Sequence, residues 1–315
     1  MIRKCLQLVV VASLGISSIA LQAKNGFDLS NASIPLREIK RGGPAKDGIV
    51  ALTNPAMIEA TETSILPSAP LLGVVVNGQA RAYPVAYLNI HEVINDAVGA
   101  QHYAVTFCPL CGSGLVFATN VADSGQHLNF GVSGLLYNSD LLMYDRNTDS
   151  LWSQLEGTAV SGPLVGTVLA TLPVVHTTWA HWQQRHPDTL VMAGDKRFRR
   201  LYRSDPYPGY TSNRRLLFAV KHKAPGTYHP KEPVLGIQFD GQAQAYPFVE
   251  LRRAGLAEHA VTLAGRSFTV RWDADSETAW AEDAQGNPMT ATRAFWFAWY
   301  AFHPDTHVYS APDRN

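Results

Sequence analysis

Cys108 and Cys111, in Cys108-Pro109-Leu110-Cys111-Gly112, have the widest choice of chemistry in this chain. The one other cysteine, Cys5, lies near the N-terminus. Two thiols three positions apart can ligate a metal, cycle as a dithiol, or close as a small disulfide loop. Pro109 stiffens the turn between them, and Gly112 permits a left-handed backbone or close approach. A Cys-Pro-x-Cys-Gly knuckle aims both sulfurs at one ion. Zinc ribbons use two such knuckles, and only one occurs here. Other residues must then complete the site, and His91 is the first choice. Glu92 could serve as a ligand, as the partner that orients one, or as a general base. Two Cys and one His with an open fourth position would suit catalytic zinc. Soft sulfur ligation would also suit copper, with Met143 as a thioether ligand. Asp140 and Asp145 follow a segment rich in small and hydrogen-bonding residues, Gly131 to Ser139, and could orient ligands or a substrate. Asp145 joins Glu92 as a catalytic candidate.

Three readings stay open at this point. One is a metal-binding protein or a zinc- or copper-dependent enzyme, acting on a small molecule or a protein. The second is a thiol–disulfide oxidoreductase using Cys108 and Cys111, weakened because no thioredoxin-like βαβ pattern surrounds them. The third is a non-catalytic binding module with a structural disulfide. Gly131-x-x-Gly134 lacks the phosphate-loop pattern, and no Gly-x-Ser-x-Gly elbow occurs.

The elements that must position these residues carry an internal echo. Leu72 to Pro84 returns as Leu235 to Pro247, with the same Leu-Gly start, the Gly-Gln-Ala core and the Ala-Tyr-Pro end. Trp179, Trp182 and His186-Pro187-Asp188-Thr189 return as Trp296, Trp299 and His303-Pro304-Asp305-Thr306. Between these landmarks the first copy holds about 46 residues more, which suggests an unequal duplication. Asn77-Gly78 and Asp240-Gly241 read as type I′ hairpin turns, and each Trp-x-x-Trp reads as a helix ended by His-Pro. The expected fold is α+β and β-rich: two unequal pseudo-repeats of hairpin, strands and an amphipathic helix. The expected organisation is a signal peptide over 1–23, an N-terminal arm over 24–70 and a first repeat with the site over 71–198. A connector over 199–233 and a second, scaffolding repeat over 234–315 complete it. The second copy has no cysteine, and Ala254-Gly255 stand where the first has His91-Glu92, so the site is placed in the first.

Arg3 and Lys4, an apolar run from Leu6 to Leu21, and small residues near Ala20 and Ala23 read as a secretory leader. The expected location is periplasmic or secreted, with no stable membrane span after leader removal. An oxidising compartment leaves a Cys-x-x-Cys pair oxidised, metal-bound or redox-active. The chain has 315 residues, 46% of them hydrophobic and 17% charged, and a net charge of zero. That supports a large core, and the lack of a basic stripe argues against nucleic acid as a partner.

The string Ala82-Tyr83-Pro84, His91-Glu92, Asn95-Asp96, Phe107 to Gly112, Gly131 to Leu136, Met143 to Arg146 and Leu151 to Gln154 resembles the DUF3179 family of exported bacterial proteins. So do Gly162-Pro163-Leu164 and His186-Pro187-Asp188-Thr189. The resemblance runs over roughly residues 45–310 and implies domain extent and export. The family carries no assigned reaction.

Overall fold

The computed structural model describes residues 23–120 and 126–312. Cys5 and almost all of the expected leader lie outside them. Strands make up 41% of the chain and helices 12%, and the sheets form a five-bladed β-propeller. The expectation of an α+β fold built from two hairpin-and-helix repeats is therefore corrected. The physical reason lies in the helices. Each of the four α-helices, Val85–His91, Trp179–Arg185, Phe248–Ala254 and Trp296–Phe302, has seven residues. Two turns cannot form a layer of their own, and they act as plugs on the sheets.

Three five-stranded sheets matter for the site. The hairpin sheet has the order Val174–Thr178, Pro70–Val76, Gln79–Pro84, Leu190–Met192, Met57–Glu59. The cysteine sheet runs Thr171–Leu172, Ser113–Ala118, Gln101–Cys108, Val93–Val98, Leu52–Thr53. The aspartate sheet runs Thr158–Ser161, Leu151–Ser153, Asp140–Asp145, Phe130–Tyr137, Ile39–Arg41. A four-stranded sheet around Pro233–Phe239 and a three-stranded one, Glu258–Leu263 to Thr278–Glu282, complete the set. The N-terminal arm gives one short strand to each of the three large sheets and so laces them together. Between Ser113–Ala118 and Thr171–Leu172, the chain leaves the cysteine sheet, builds four strands of the aspartate sheet, and returns.

The sequence echo marks the hairpin at the middle of two sheets. Asn77 and Gly78 have φ of 48° and 76°, and Asp240 and Gly241 have 46° and 79°, the paired positive values of a type I′ tip. Behind each hairpin sits a tryptophan. A Cβ on Gly73 would fall 2.3 Å from the Trp182 ring, and one on Gly236 would fall 2.3 Å from Trp299. Only glycine lets the indole lie flat on the strand. The Trp182 Nε1–H donates to Thr189 Oγ1 at 2.9 Å and the Trp299 Nε1–H to Thr306 Oγ1 at 3.0 Å. The recurring His-Pro-Asp-Thr thus ends the helix and satisfies a buried indole.

Asn95 joins the cysteine sheet to the aspartate sheet. Its Nδ2 donates to Phe130 O at 2.8 Å and its Oδ1 accepts from Phe130 N at 2.7 Å. Asp96 joins the cysteine sheet to the hairpin sheet, receiving Arg81 Nη1 and the Tyr83 hydroxyl at 2.6 Å each. Both residues are buried, so these bonds form where water does not compete.

Two outcomes follow. Gly73→Ala must displace Trp182 and should cost about 1–3 kcal/mol in a denaturant titration, whereas Gly78→Ala, with nothing within 4 Å, strains only its backbone. The second concerns pH. His176 is buried and donates from Nε2 to Gly114 O at 3.0 Å. Burial, then the Arg293 charge, pushes its pKa from 6.5 down to about 3. The folded state therefore holds the neutral ring, and the unfolded chain takes the proton first. That stabilisation is complete above pH about 6.5 and is lost as pH falls toward 3, with a slope of up to about 1.4 kcal/mol per pH unit. Unfolding midpoints measured from pH 7 to 4 should fall less steeply in His176→Gln than in the parent.

Candidate metal centre

Two hairpin tips meet at the site. The first joins Gln101–Cys108 to Ser113–Ala118, with Cys108 opposite Ser113 as the last pair. Cys111 N donates to Cys108 O at 3.2 Å, closing a turn, and Gly112 follows at φ +59°. A Cβ on Gly112 would lie 2.7 Å from the Phe295 ring, while Phe295 N donates to Cys111 O at 2.7 Å. The turn is thus clamped from the second half of the chain, and its sulfurs face inward.

The second tip joins Phe130–Tyr137 to Asp140–Asp145, with Tyr137 opposite Asp140. Its two loop residues, Asn138 and Ser139, have φ of 50° and 69°. For serine that conformation is uncommon and costs of order 1–3 kcal/mol. It turns the Ser139 carbonyl toward the thiols: Cys111 Sγ lies 3.4 Å from it and Cys108 Sγ 3.9 Å. Asp140 comes next, and the Cys108 Sγ, Cys111 Sγ and a carboxylate oxygen of Asp140 all lie within 4.8 Å of one another. All three residues are buried and both thiols are free.

Asp140 is held by one oxygen. Oδ2 accepts from Leu155 N at 3.0 Å, while Oδ1 is buried with no hydrogen-bond partner, as is the neighbouring Ser139 Oγ. Burial pushes the Asp140 pKa up to about 7. Glu92, also buried, is pushed up to about 8 by burial and then by Asp140. Burial raises both thiols, with Asp140 adding to the effect at each. Two thiols and two carboxyls have been collected where little water reaches, and a charge on Asp140 raises the cost of ionising the other three. The connector roofs the turn: the Tyr210 hydroxyl donates to Leu110 O at 3.0 Å, and Lys231 Nζ sits 3.9 Å from the Tyr210 ring centroid. Tyr207 on the same segment is raised to about 12 by burial, then by Glu92 and Cys108.

Of the residues expected from sequence, the structure brings Cys108, Cys111 and Glu92 into one neighbourhood. It does not bring His91 there. His91 Nδ1 lies 2.6 Å from Val50 O, Nε2 lies 2.7 Å from the Tyr202 hydroxyl, and the ring meets Phe198 edge-on. Both nitrogens are occupied. Glu92 diverges from its neighbour because it caps the Val85–His91 helix at φ +57°. Met143 lies three residues along the strand from Asp140, an odd offset that puts it on the other face. It pairs with Val132 and Trp152 in the core. Asp145 has a local duty: its carboxylate accepts from Thr148 N at 2.7 Å, Thr148 Oγ1 at 2.9 Å and Trp152 Nε1 at 2.9 Å. Asp140 is the residue whose place beside the two thiols sequence reasoning missed. Its signal was the two-residue Asn138-Ser139 tip, which fixes the direction of whatever follows.

The base of the cysteine turn hangs on Gln154. Its Oε1 accepts from Ser113 Oγ at 3.0 Å and its Nε2 donates to Thr106 Oγ1 at 3.1 Å, all three residues being buried. Gln154→Ala leaves the Ser113 hydroxyl without its partner and removes one of the two bonds of the Thr106 hydroxyl, which also donates to Leu115 O at 2.9 Å, and should cost about 1–3 kcal/mol. Thermal unfolding should show the loss, and thiol labelling of the folded variant should be faster than in the parent.

No curated protein and no solved structure matches this chain. Residues 46–287, more than two thirds of the sequence, match the family described as a protein of unknown function, DUF3179, and the chain belongs to that family.

Proposed function

We propose that this is an exported metal-binding protein in which Cys108, Cys111 and Asp140 hold one divalent ion, with zinc as the best fit. The observation that supports it most is the orphaned Asp140 Oδ1, buried and within 4.8 Å of two buried thiols. A buried carboxylate oxygen without a donor costs free energy, and a cation is the partner that would satisfy it together with two sulfurs. Two thiolates and a carboxylate suit zinc, which accepts both sulfur and oxygen. Copper(I) ranks second, because it favours sulfur throughout and Met143 faces the other way. Glu92, whose charge couples to Asp140 and Cys108, would serve as a base beside such an ion. A bound divalent ion would supply the charge that these acidic groups lack.

Cys108, Cys111 and Asp140 are each no more than 1% exposed. That supports a closed, tightly held centre joining two sheet tips, and any substrate would need the connector to move. The dithiol reading is less favoured. An attacking thiol needs access and a lowered pKa, whereas burial raises both of these. Export rests on the N-terminal leader pattern, and periplasmic or secreted location is proposed on that pattern alone. No helix among the described residues is long and apolar enough to cross a membrane.

Elemental analysis of the full chain, purified without added metal or chelator, should give about one zinc per chain. Cys108→Ser and Cys111→Ser should abolish it, and Asp140→Asn should weaken retention against a chelating dye by at least about tenfold. His91→Ala should leave the stoichiometry unchanged. Metal-free protein whose two thiols titrate freely after unfolding would sink the proposal. Metal-free protein with neither thiol titratable would move the account to a disulfide.

A further inference from the structure

A second, separate cavity of about 340 Å³ lies under the Trp179–Arg185 helix, between the hairpin sheet and the three-stranded sheet. It shares no residue with the metal centre. Its walls are apolar, formed by Val75, Val174, Leu235, Ala281 and Met289, with the indoles of Trp182 and Trp280. One positive charge, the partly exposed Arg185, is among its lining residues. The Arg185 guanidinium stacks over the Trp280 ring at 4.5 Å. Its nearest acid, Glu282, is 4.0 Å away, beyond hydrogen-bond distance. Glu282 is already taken: its Oε2 accepts from Arg271 Nε at 2.8 Å and its Oε1 from Trp280 Nε1 at 2.7 Å. His181 stands beside Arg185, with Nδ1 tied to Thr177 Oγ1 at 2.7 Å, which leaves Nε2 for another partner.

A cleft with the same frame supplies a comparison inside the molecule. It lies beside Gly236, Trp299 and His303, as the first lies beside Gly73, Trp182 and His186. There Phe302 occupies the place of Arg185, and Glu156 and Thr158 line the wall. The indole and imidazole frame is common to both, while the guanidinium and the apolar lining belong to one. A largely apolar cavity, edged by two imidazoles and by a stacked guanidinium whose ion pair is long at 4.0 Å, fits one class of ligand: an apolar body to fill the walls and an anionic group for the fork of N–H donors.

We propose that this cavity binds a small carboxylate with an aromatic or branched apolar body, its carboxylate on Arg185 and its body between Trp182 and Trp280. Both indoles would report occupancy.

The test uses the full, metal-replete chain and three probes: indole-3-acetate, its neutral amide, and acetate. Ligand-observed NMR and calorimetry give the affinities. Indole-3-acetate should bind at least about tenfold more tightly than the amide, a difference of about 1.4 kcal/mol, and acetate should not saturate. Arg185→Gln should bring the acid down to the level of the amide while leaving the metal content and unfolding midpoint unchanged. Trp280→Leu should weaken acid and amide alike. Equal affinity for acid and amide, an acid preference that survives Arg185→Gln, or no saturation of indole-3-acetate by about 10 mM would each overturn the proposal.

Discussion

Everything at the centre depends on holding four acidic groups together out of water. Cys108, Cys111, Asp140 and Glu92 are all buried; burial is the largest cause raising each pKa, and Asp140 adds to it at the other three. The two carboxyl groups would be better solvated in water, and an ionised Asp140 penalises ionisation of Glu92 and of both thiols. The fold nevertheless supports the grouping with positive φ at three non-glycine residues, Glu92, Asn138 and Ser139. Strain and polar burial concentrated at one point are the physical signature of a site that has a use. A divalent cation is the simplest partner that converts the cost into a gain.

The rest of the molecule is arranged to keep two hairpin tips facing each other. Asn95 and Gln154 bridge the cysteine sheet to the aspartate sheet with side-chain amides that bond on both sides. The N-terminal arm adds a strand to each large sheet. Phe295 and Tyr210 close the cysteine turn from outside, reaching Cys111 O and Leu110 O respectively. The glycine-on-indole contacts at Gly73 and Gly236 give the sheets behind the site a rigid backing. A tip held on so many sides has little freedom, as expected of a preorganised ligand set.

Local chemistry was legible in the sequence and spatial neighbours were not. The Cys-Pro-x-Cys-Gly turn, the Asn-Gly and Asp-Gly tips and the tryptophan anchors each follow from a few adjacent residues. His91 misled because nearness in sequence stands in poorly for nearness in space. It ends a helix, and the positive φ of Glu92 sends the two adjacent side chains to different places. Asp140 escaped because it reaches the cysteines only through the meeting of two separate sheets. The fold class failed for a related reason. Helical spacing in Trp-x-x-Trp cannot show that the helix stops after seven residues, and arm strands of two or three residues carry no period.

X-ray absorption at the metal edge of the purified protein tests the central claim most directly. The account predicts two sulfur scatterers near 2.3 Å and one or two oxygen scatterers near 2.0–2.2 Å, about the distances for zinc thiolates and carboxylates. The Cys108→Ser, Cys111→Ser double variant should give no metal-edge signal. A bound metal ringed only by oxygen and nitrogen, or a histidine shell that vanishes in His91→Ala, would contradict the assignment of these three residues as its ligands.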